Sequence, residues 1–407
     1  MIKDIFIKNP NQKTLSAQYF LYFGVMGIIL PYLNLYFYKI GFSGFQIGVL
    51  SAVRTLTSLI FPLLWATLAD RFQIRRPIYI LCNFISTGIW LGYLYTADFN
   101  AMLMISLCYG IFYSPIIGFL EAFTMDTLGG KKQNYGQIRV WGSINFILVV
   151  MALGWLTDIY SVRIILILTF AGSLIQASLS LFMPQFAKKK EKTSNKADKK
   201  NNFINREVAF FLFCFFLMLV SHGTYYGFFS IHLVRLGFGN TFIGFAWALA
   251  SIAEIVVMIQ SESIFKRISI EKILIFSFFM AAGRWATLYF TTSPVLILLA
   301  QVLHAFTYGT FHMAGILYID RCTCDATKTF GQTVNNAATY GLGMAVGLFF
   351  NGLYYEKLST TLFIISSLIA LFGGGILLAF TRRRQYTEKK TIVDKGSDDS
   401  NECTDNR

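Results

Sequence analysis

Charge is scarce in this chain. Only 14% of its 407 residues are charged, against 55% hydrophobic residues that include 41 Phe and 21 Tyr. A soluble fold of this length would be left badly short of polar surface. The short-strand alternation of an outer-membrane barrel is also missing, and backbone groups in lipid must be satisfied within their own segment, so the long apolar runs read as helices. The fold class is all-α. The six cysteines suggest no disulfide framework: Cys82, Cys108 and Cys214 lie inside apolar runs, where a thiol packs as a small hydrophobe, and Cys403 sits in a polar tail. Cys322 and Cys324 form a C-x-C with no second pair at metal spacing, which argues against a metal site. No nucleotide loop, zinc helix motif or nucleophile-and-base pattern is present, so neither an enzyme nor a cofactor is expected. Gly341, Gly343 and Gly347 follow no strand and read as close helix packing, not as a dinucleotide fingerprint.

What is present is a layout. Two stretches of apolar segments flank one lysine-rich break at 187–206, and the segments are long enough to cross a hydrocarbon layer of ~30 Å. The first half gives spans at 15–38, 45–68, 77–96, 101–123, 136–156 and 163–183; the second gives 207–233, 241–260, 273–290, 294–319, 332–355 and 361–381. The expected organisation is a six-helix bundle at 1–186, a basic linker at 187–206, a second six-helix bundle at 207–384 and a disordered tail at 385–407. The first run exceeds a signal-peptide core and precedes no small-residue cleavage pattern, so it is expected to stay in the mature protein.

Charge sets the orientation. Lys39, Arg163, Arg235 and Lys357 alone fall near the loops of one side, while Arg71, Arg75, Arg76, Lys131, Lys132, Lys266, Arg267 and the linker cations fall on the other. The positive-inside rule places that side, with both termini, in the cytoplasm, and the chain as a multi-pass protein in the plasma (inner) membrane. The net charge of +14 is then explained without nucleic acid, because these cations hug membrane ends and lack interleaved recognition aromatics.

The halves repeat each other. A shift of 196 residues superposes Gly41, Phe42, Ile47, Gly48 and Arg71 on Gly237, Phe238, Ile243, Gly244 and Arg267 without a gap. Ionisable groups inside spans cost a few kcal/mol each and persist mainly where they face a cavity, a partner or a substrate. The second half holds Glu254, Arg284, His304, His312 and His222; the first holds Arg54, Glu121 and Arg139. His304 and His312 fall about 80° apart on an ideal helix, so both can border one side of a cavity. A neutral histidine hydrogen-bonded between helices is the competing reading, for His312 and His222 above all. Histidine titrates near neutral pH, which makes Glu254 with His304 a candidate protonation pair. Arg284 is expected to hold either Glu254 or a substrate carboxylate. Glu121 and Arg139 are candidates for pairing with each other at the cytoplasmic interface or for contacting substrate, and Arg54 is a mid-span candidate for substrate or for a structural partner.

Parallel repeats of six spans resemble the major facilitator transporters, whose halves rock around a site near the bilayer midplane. The loop Ala66-Thr67-Leu68-Ala69-Asp70-Arg71-Phe72-Gln73-Ile74-Arg75-Arg76 is similar to the signature loop of that superfamily, which implies a conformational role for Asp70 and Arg71. Ala66 and Gln73 stand where that loop usually has glycine. Glu121-Ala122-Phe123 followed by Tyr135 to Ser143 resembles the sugar-binding stretch of the lactose permease family, with Glu121 and Arg139 on its Glu and Arg. Glu254, Arg284 and His304 fall on residues resembling that family's recognition and proton-coupling network, but Gln301 and Thr307 stand where it has a Lys and its proton-carrying Glu. Ser221 to Phe228, Ala253-Glu254, Arg284-Trp285, Leu303-His304 and His312-Met313-Ala314 resemble the phenylpropionate permease group, with nucleoside permeases as further relatives.

The resemblance implies a proton-coupled symporter importing a small organic solute by alternating access. An aromatic carboxylate or a sugar is the expected cargo, a nucleoside the alternative. A drug-exporting antiporter ranks lower, because 136–156 lacks the Gly-Pro pattern of such exporters. Expected partners are the small-molecule substrate, protons and the lipid bilayer, with no nucleic acid and a monomeric state.

Overall fold

The computed structural model describes residues 9–130, 134–185, 206–323 and 328–401. Lys131, Lys132, Cys324, Cys403 and the linker cations ahead of Arg206 lie outside the described residues. Among the described residues every regular element is helical, and twelve rods result. They are α1 (Pro10–Lys39), α2 (Gly44–Phe72), α3 (Arg75–Tyr95), α4 (Phe99–Leu128), α5 (Tyr135–Ile159) and α6 (Ile164–Ser180) in the first half. The second half supplies α7 (Arg206–Arg235), α8 (Asn240–Arg267), α9 (Ile270–Phe290), α10 (Pro294–Cys322), α11 (328–358) and α12 (Thr361–Asn401). Ten of these are long and apolar enough to cross a membrane; α6 is apolar but shorter, and α11 begins with the polar stretch Lys328–Asn336. The backbone of α12 is helical to Asn401, past the 385 boundary at which disorder is expected; Glu388, Lys389 and Lys390 are good helix formers, whereas Gly396 and the Ser and Asp residues after it are not.

Local chemistry sets the ends. Asn9 accepts from Asn11 N ahead of Pro10, Ser43 and Gln46 form a reciprocal capping box on α2, and Asp98 accepts from Ala101 N on α4. The repeat is visible in the helix exits. Gly41 (φ 96°) and Gly237 (φ 86°) both end a helix in the left-handed region, and Phe42 N donates to Phe37 O as Phe238 N donates to Leu233 O, each at 3.0 Å. Only glycine adopts that backbone without strain, so the matched pair marks the same turn built twice.

Within each half the helices pack on one another, and the halves meet along α2 with α11 and α5 with α8. These seams are tight at the end opposite the basic loops, here called the far end. A Cβ on Gly48 would lie 2.7 Å from Gly352 Cα, and one on Gly244 would lie 2.5 Å from Val150 O, so only glycine permits such backbone approach. Toward the basic end the seams part: α8 has no buried residue after Ala250, and α2 has only Ala69 after Thr57. The molecule is closed at the far end and open between the halves toward the basic loops.

Candidate functional site

A cavity of about 380 Å³ lies between the halves. Phe23 and Met26 of α1 and Arg139, Ser143 and Phe146 of α5 form one wall; Tyr226 of α7, Trp247 and Glu254 of α8, and His304, Tyr308 and His312 of α10 form the other. Each of these helices spends one face on its own bundle and leaves the other to the lumen, which is why charged side chains survive there.

Glu254 is the acidic group of the cavity wall, with 22% of its side chain exposed. Its Oε2 lies 3.8 Å from His304 Nε2. It packs on Gly309, where a Cβ would come within 3.2 Å of Glu254 Cγ. Gly309 belongs to a π-helical turn, Ala305–Thr310, inside α10. Such turns recur at functional sites because their wider coil re-aims side chains. Here it lags the α-helical phase, so His304, Tyr308 and His312 stack in one ladder, with ring centroids 5.2 and 6.2 Å apart and interplanar angles of 19° and 8°. A second π turn, Ala337–Gly343 of α11, faces the first and presents Tyr340, whose hydroxyl is 2.7 Å from His312 Nδ1.

Arg284 is not on the cavity wall. It is fully buried behind His304, with Nη1 at 2.8 Å from His304 Nδ1 and 3.2 Å from Thr307 Oγ1, and Nη2 at 2.9 Å from Gln301 Oε1. Tyr225 and Trp285 lie under the guanidinium at 4.2 and 4.7 Å. The expected contact with Glu254 is replaced by one through the imidazole. A guanidinium only donates, so His304 Nδ1 accepts, and the ring proton sits on Nε2, toward Glu254. Gln301 and Thr307, the departures from the lactose permease pattern, are the residues that fix Arg284.

Arg139 lies 3.6 Å from the centre of the Phe23 ring, and its Nη1 has no hydrogen-bond partner. Glu121 is exposed and lies within electrostatic reach of Arg139, but the two form no ion pair within 4 Å. Arg54 stands off the cavity, beyond Leu30 toward the far end: its Nη2 donates to Asn34 Oδ1 at 2.8 Å and Ser51 Oγ at 3.2 Å, and Asn34 donates in turn to Gly227 O of the other half. His222 donates through Nδ1 to Met218 O at 2.8 Å and is wholly buried, which is the structural role open to it. At the basic end Asp70 meets Arg75 at 3.2 Å, and Arg75 also meets Asp126 at 2.8 Å, while Arg71 lies over Phe72. Gln73, in the place of the signature glycine, adopts φ 55°.

Trp247, Tyr308 and Tyr340 are absent from the residues singled out in the sequence, and Tyr226 enters there only within the Ser221 to Phe228 resemblance. The four-residue spacing His304, Tyr308, His312 was the available signal.

Residues 13–365 match the MFS_1 like family. The chain belongs to that family. It is similar to a probable 3-phenylpropionic acid transporter of Escherichia coli (strain K12), 26% identical over 366 residues that cover 88% of this chain and 94% of the relative. A maltose permease of Geobacillus stearothermophilus is 23% identical over 90% of this chain and 94% of its own length. The crystal structure of a mutant of the nucleoside transporter NupG shares the fold at a TM-score of 0.82 and 19% identity, covering 90% of this chain and 99% of that one. The protein is thus a multi-pass membrane protein of the major facilitator type, a secondary transporter of a small solute and not an enzyme.

Proposed function

We propose that this protein imports a small organic solute, an aromatic carboxylate of the phenylpropionate type, together with a proton by alternating access. The basic loops and both termini are assigned to the cytoplasmic face of the inner membrane, so the closed far end faces outward. The observation that carries the reading is Glu254: a carboxylate on the wall of a cavity between two halves, facing the Nε2 proton of a histidine whose other nitrogen is held by Arg284.

Coupling follows from electrostatics. Arg139, on the opposite wall, is the anchor for the cargo carboxylate, while Phe23, Trp247, Tyr226 and Tyr308 receive its ring. Glu254 lies within electrostatic reach of Arg139. An ionised Glu254 would repel an incoming carboxylate, and a protonated one would not, so anion and proton bind together better than either alone. Protonation also weakens Glu254's hold on His304, and through it bears on Arg284, which links the event to the packing of α8, α9 and α10. His304 stays neutral in this scheme, as a donor to Glu254, and Glu254 carries the proton.

A nucleoside is the second reading, favoured by the likeness to NupG and by the same aromatic walls; a sugar, as in the maltose permease relative, would use Glu254 and Glu121 as hydroxyl acceptors. The test is uptake into proteoliposomes of phenylpropionate, maltose and a nucleoside, with and without an inward proton gradient. Gradient-driven accumulation of phenylpropionate alone is expected. Accumulation of the nucleoside or the sugar alone overturns the cargo, and uptake indifferent to the gradient overturns the coupling.

A further inference from the structure

We infer that Asp158 and Glu356 form a paired latch that holds the far end shut, each carboxylate capping a helix of the opposite half. Asp158, near the end of α5, accepts from Asn240 N at 2.7 Å, Thr241 N at 2.8 Å and Thr241 Oγ1 at 2.6 Å, all at the start of α8. Glu356, near the end of α11, accepts from Gly44 N at 2.8 Å at the start of α2. The two capped residues, 44 and 240, are the same position in the two halves under the 196-residue repeat. The first N–H groups of a helix have no partner inside it and carry a partial positive charge, so an anion placed there is stabilising and directional. Each half therefore supplies the anion that satisfies the other half's helix.

The contacts exist only while the halves touch. When the far end opens, those N–H groups and carboxylates exchange partners for water, so the latch favours the closed far end without favouring the folded halves themselves. It differs in kind from the glycine seam beside it, where Gly48 meets Gly352 by shape alone. Both carboxylates are exposed, which limits each to roughly a two- to fivefold bias in the closed-to-open ratio. Lys39, within electrostatic reach of Asp158, is the other charge near that arm. Asp158 and Glu356 are accordingly positioning residues for the transport cycle, and the inference rests on the alternating-access reading above.

The test is double electron–electron resonance between spin labels at Y95C and F290C, exposed positions at the far ends of α3 and α9, in a background whose native cysteines are serine. The full chain in nanodiscs is expected to show a dominant short distance. D158N and E356Q are each expected to raise the long-distance fraction two- to fivefold, and the double variant roughly tenfold if the arms are independent. D158E, which keeps the charge, should stay near the parent, and T241V, which removes one of three donors, should fall between. G48L serves as the wedge that opens the far end by another route. Should G48L lengthen the distance while D158N, E356Q and T241V leave it unchanged, the latch is wrong. A single distance in every variant, G48L included, would instead overturn alternating access. If the double variant does not fold, the single variants and T241V decide the matter.

Discussion

Replacing Gly48 with leucine should trap the transporter with its far end open. A Cβ at this position would lie 2.7 Å from Gly352 Cα and 2.9 Å from Leu348 O, and both obstacles are backbone, which cannot swing aside as a side chain does. Overpacking of this kind costs about 1–3 kcal/mol where the partner cannot move away. Here it can, because α11 belongs to the other half, and the strain is released by parting the halves at that end. The ratio of closed to open is then expected to fall by roughly 5- to 150-fold. Leucine also gains about 1 kcal/mol over glycine in a helix interior in either state, so the protein should express and purify normally. Labels at the far ends of α3 and α9 read the shift directly, and uptake should collapse while cargo still binds. A distance distribution unchanged from the parent, in a protein that folds, would refute the seam as the closing surface.

Three further outcomes can be checked separately. Arg284→Lys keeps the charge but loses the fork that reaches His304, Gln301 and Thr307, so uptake is expected to fall at least tenfold with the fold retained; parental uptake would show that the fork is dispensable. Ser359 sits at φ 46°, ψ −117°, a region natural to glycine, so Ser359→Gly should raise stability by about 1 kcal/mol despite losing an exposed bond from Arg235, read as a higher midpoint of thermal unfolding. Tyr32→Phe removes a buried 2.7 Å bond to Val150 O and should cost about 1 kcal/mol in the same measurement; no change would mean that water or repacking compensates.

The membrane rods were legible because lipid leaves the backbone few choices, and the duplication was legible because Gly41 and Gly237 had to be glycine. Glu254 and His304 were legible too, since charge in an apolar run needs a reason. What the chain concealed is tertiary. Arg284 reads as a ligand for substrate, yet Gln301 and Thr307 one helix away turn it into the support of His304. The π turns of α10 and α11 carry no local warning in their composition, and they decide which rings share a face. Asp158 and Glu356 are not singled out by the sequence, because their partners appear only once the halves are placed together. Arg54 reads as a mid-span candidate for substrate or for a structural partner, and its partners Asn34 and Ser51 are neutral and lie off the cavity.

The most direct measurement is transport by Glu254→Gln in proteoliposomes, scored for proton-driven accumulation and for cargo exchange at equal pH. The amide keeps the shape beside His304 and Gly309 but cannot give up a proton. Accumulation should vanish while exchange persists, because a permanently neutral side chain accepts the anion on both sides and dissipates no gradient. Accumulation at the parental level would remove Glu254 from the coupling step and with it the proposed mechanism.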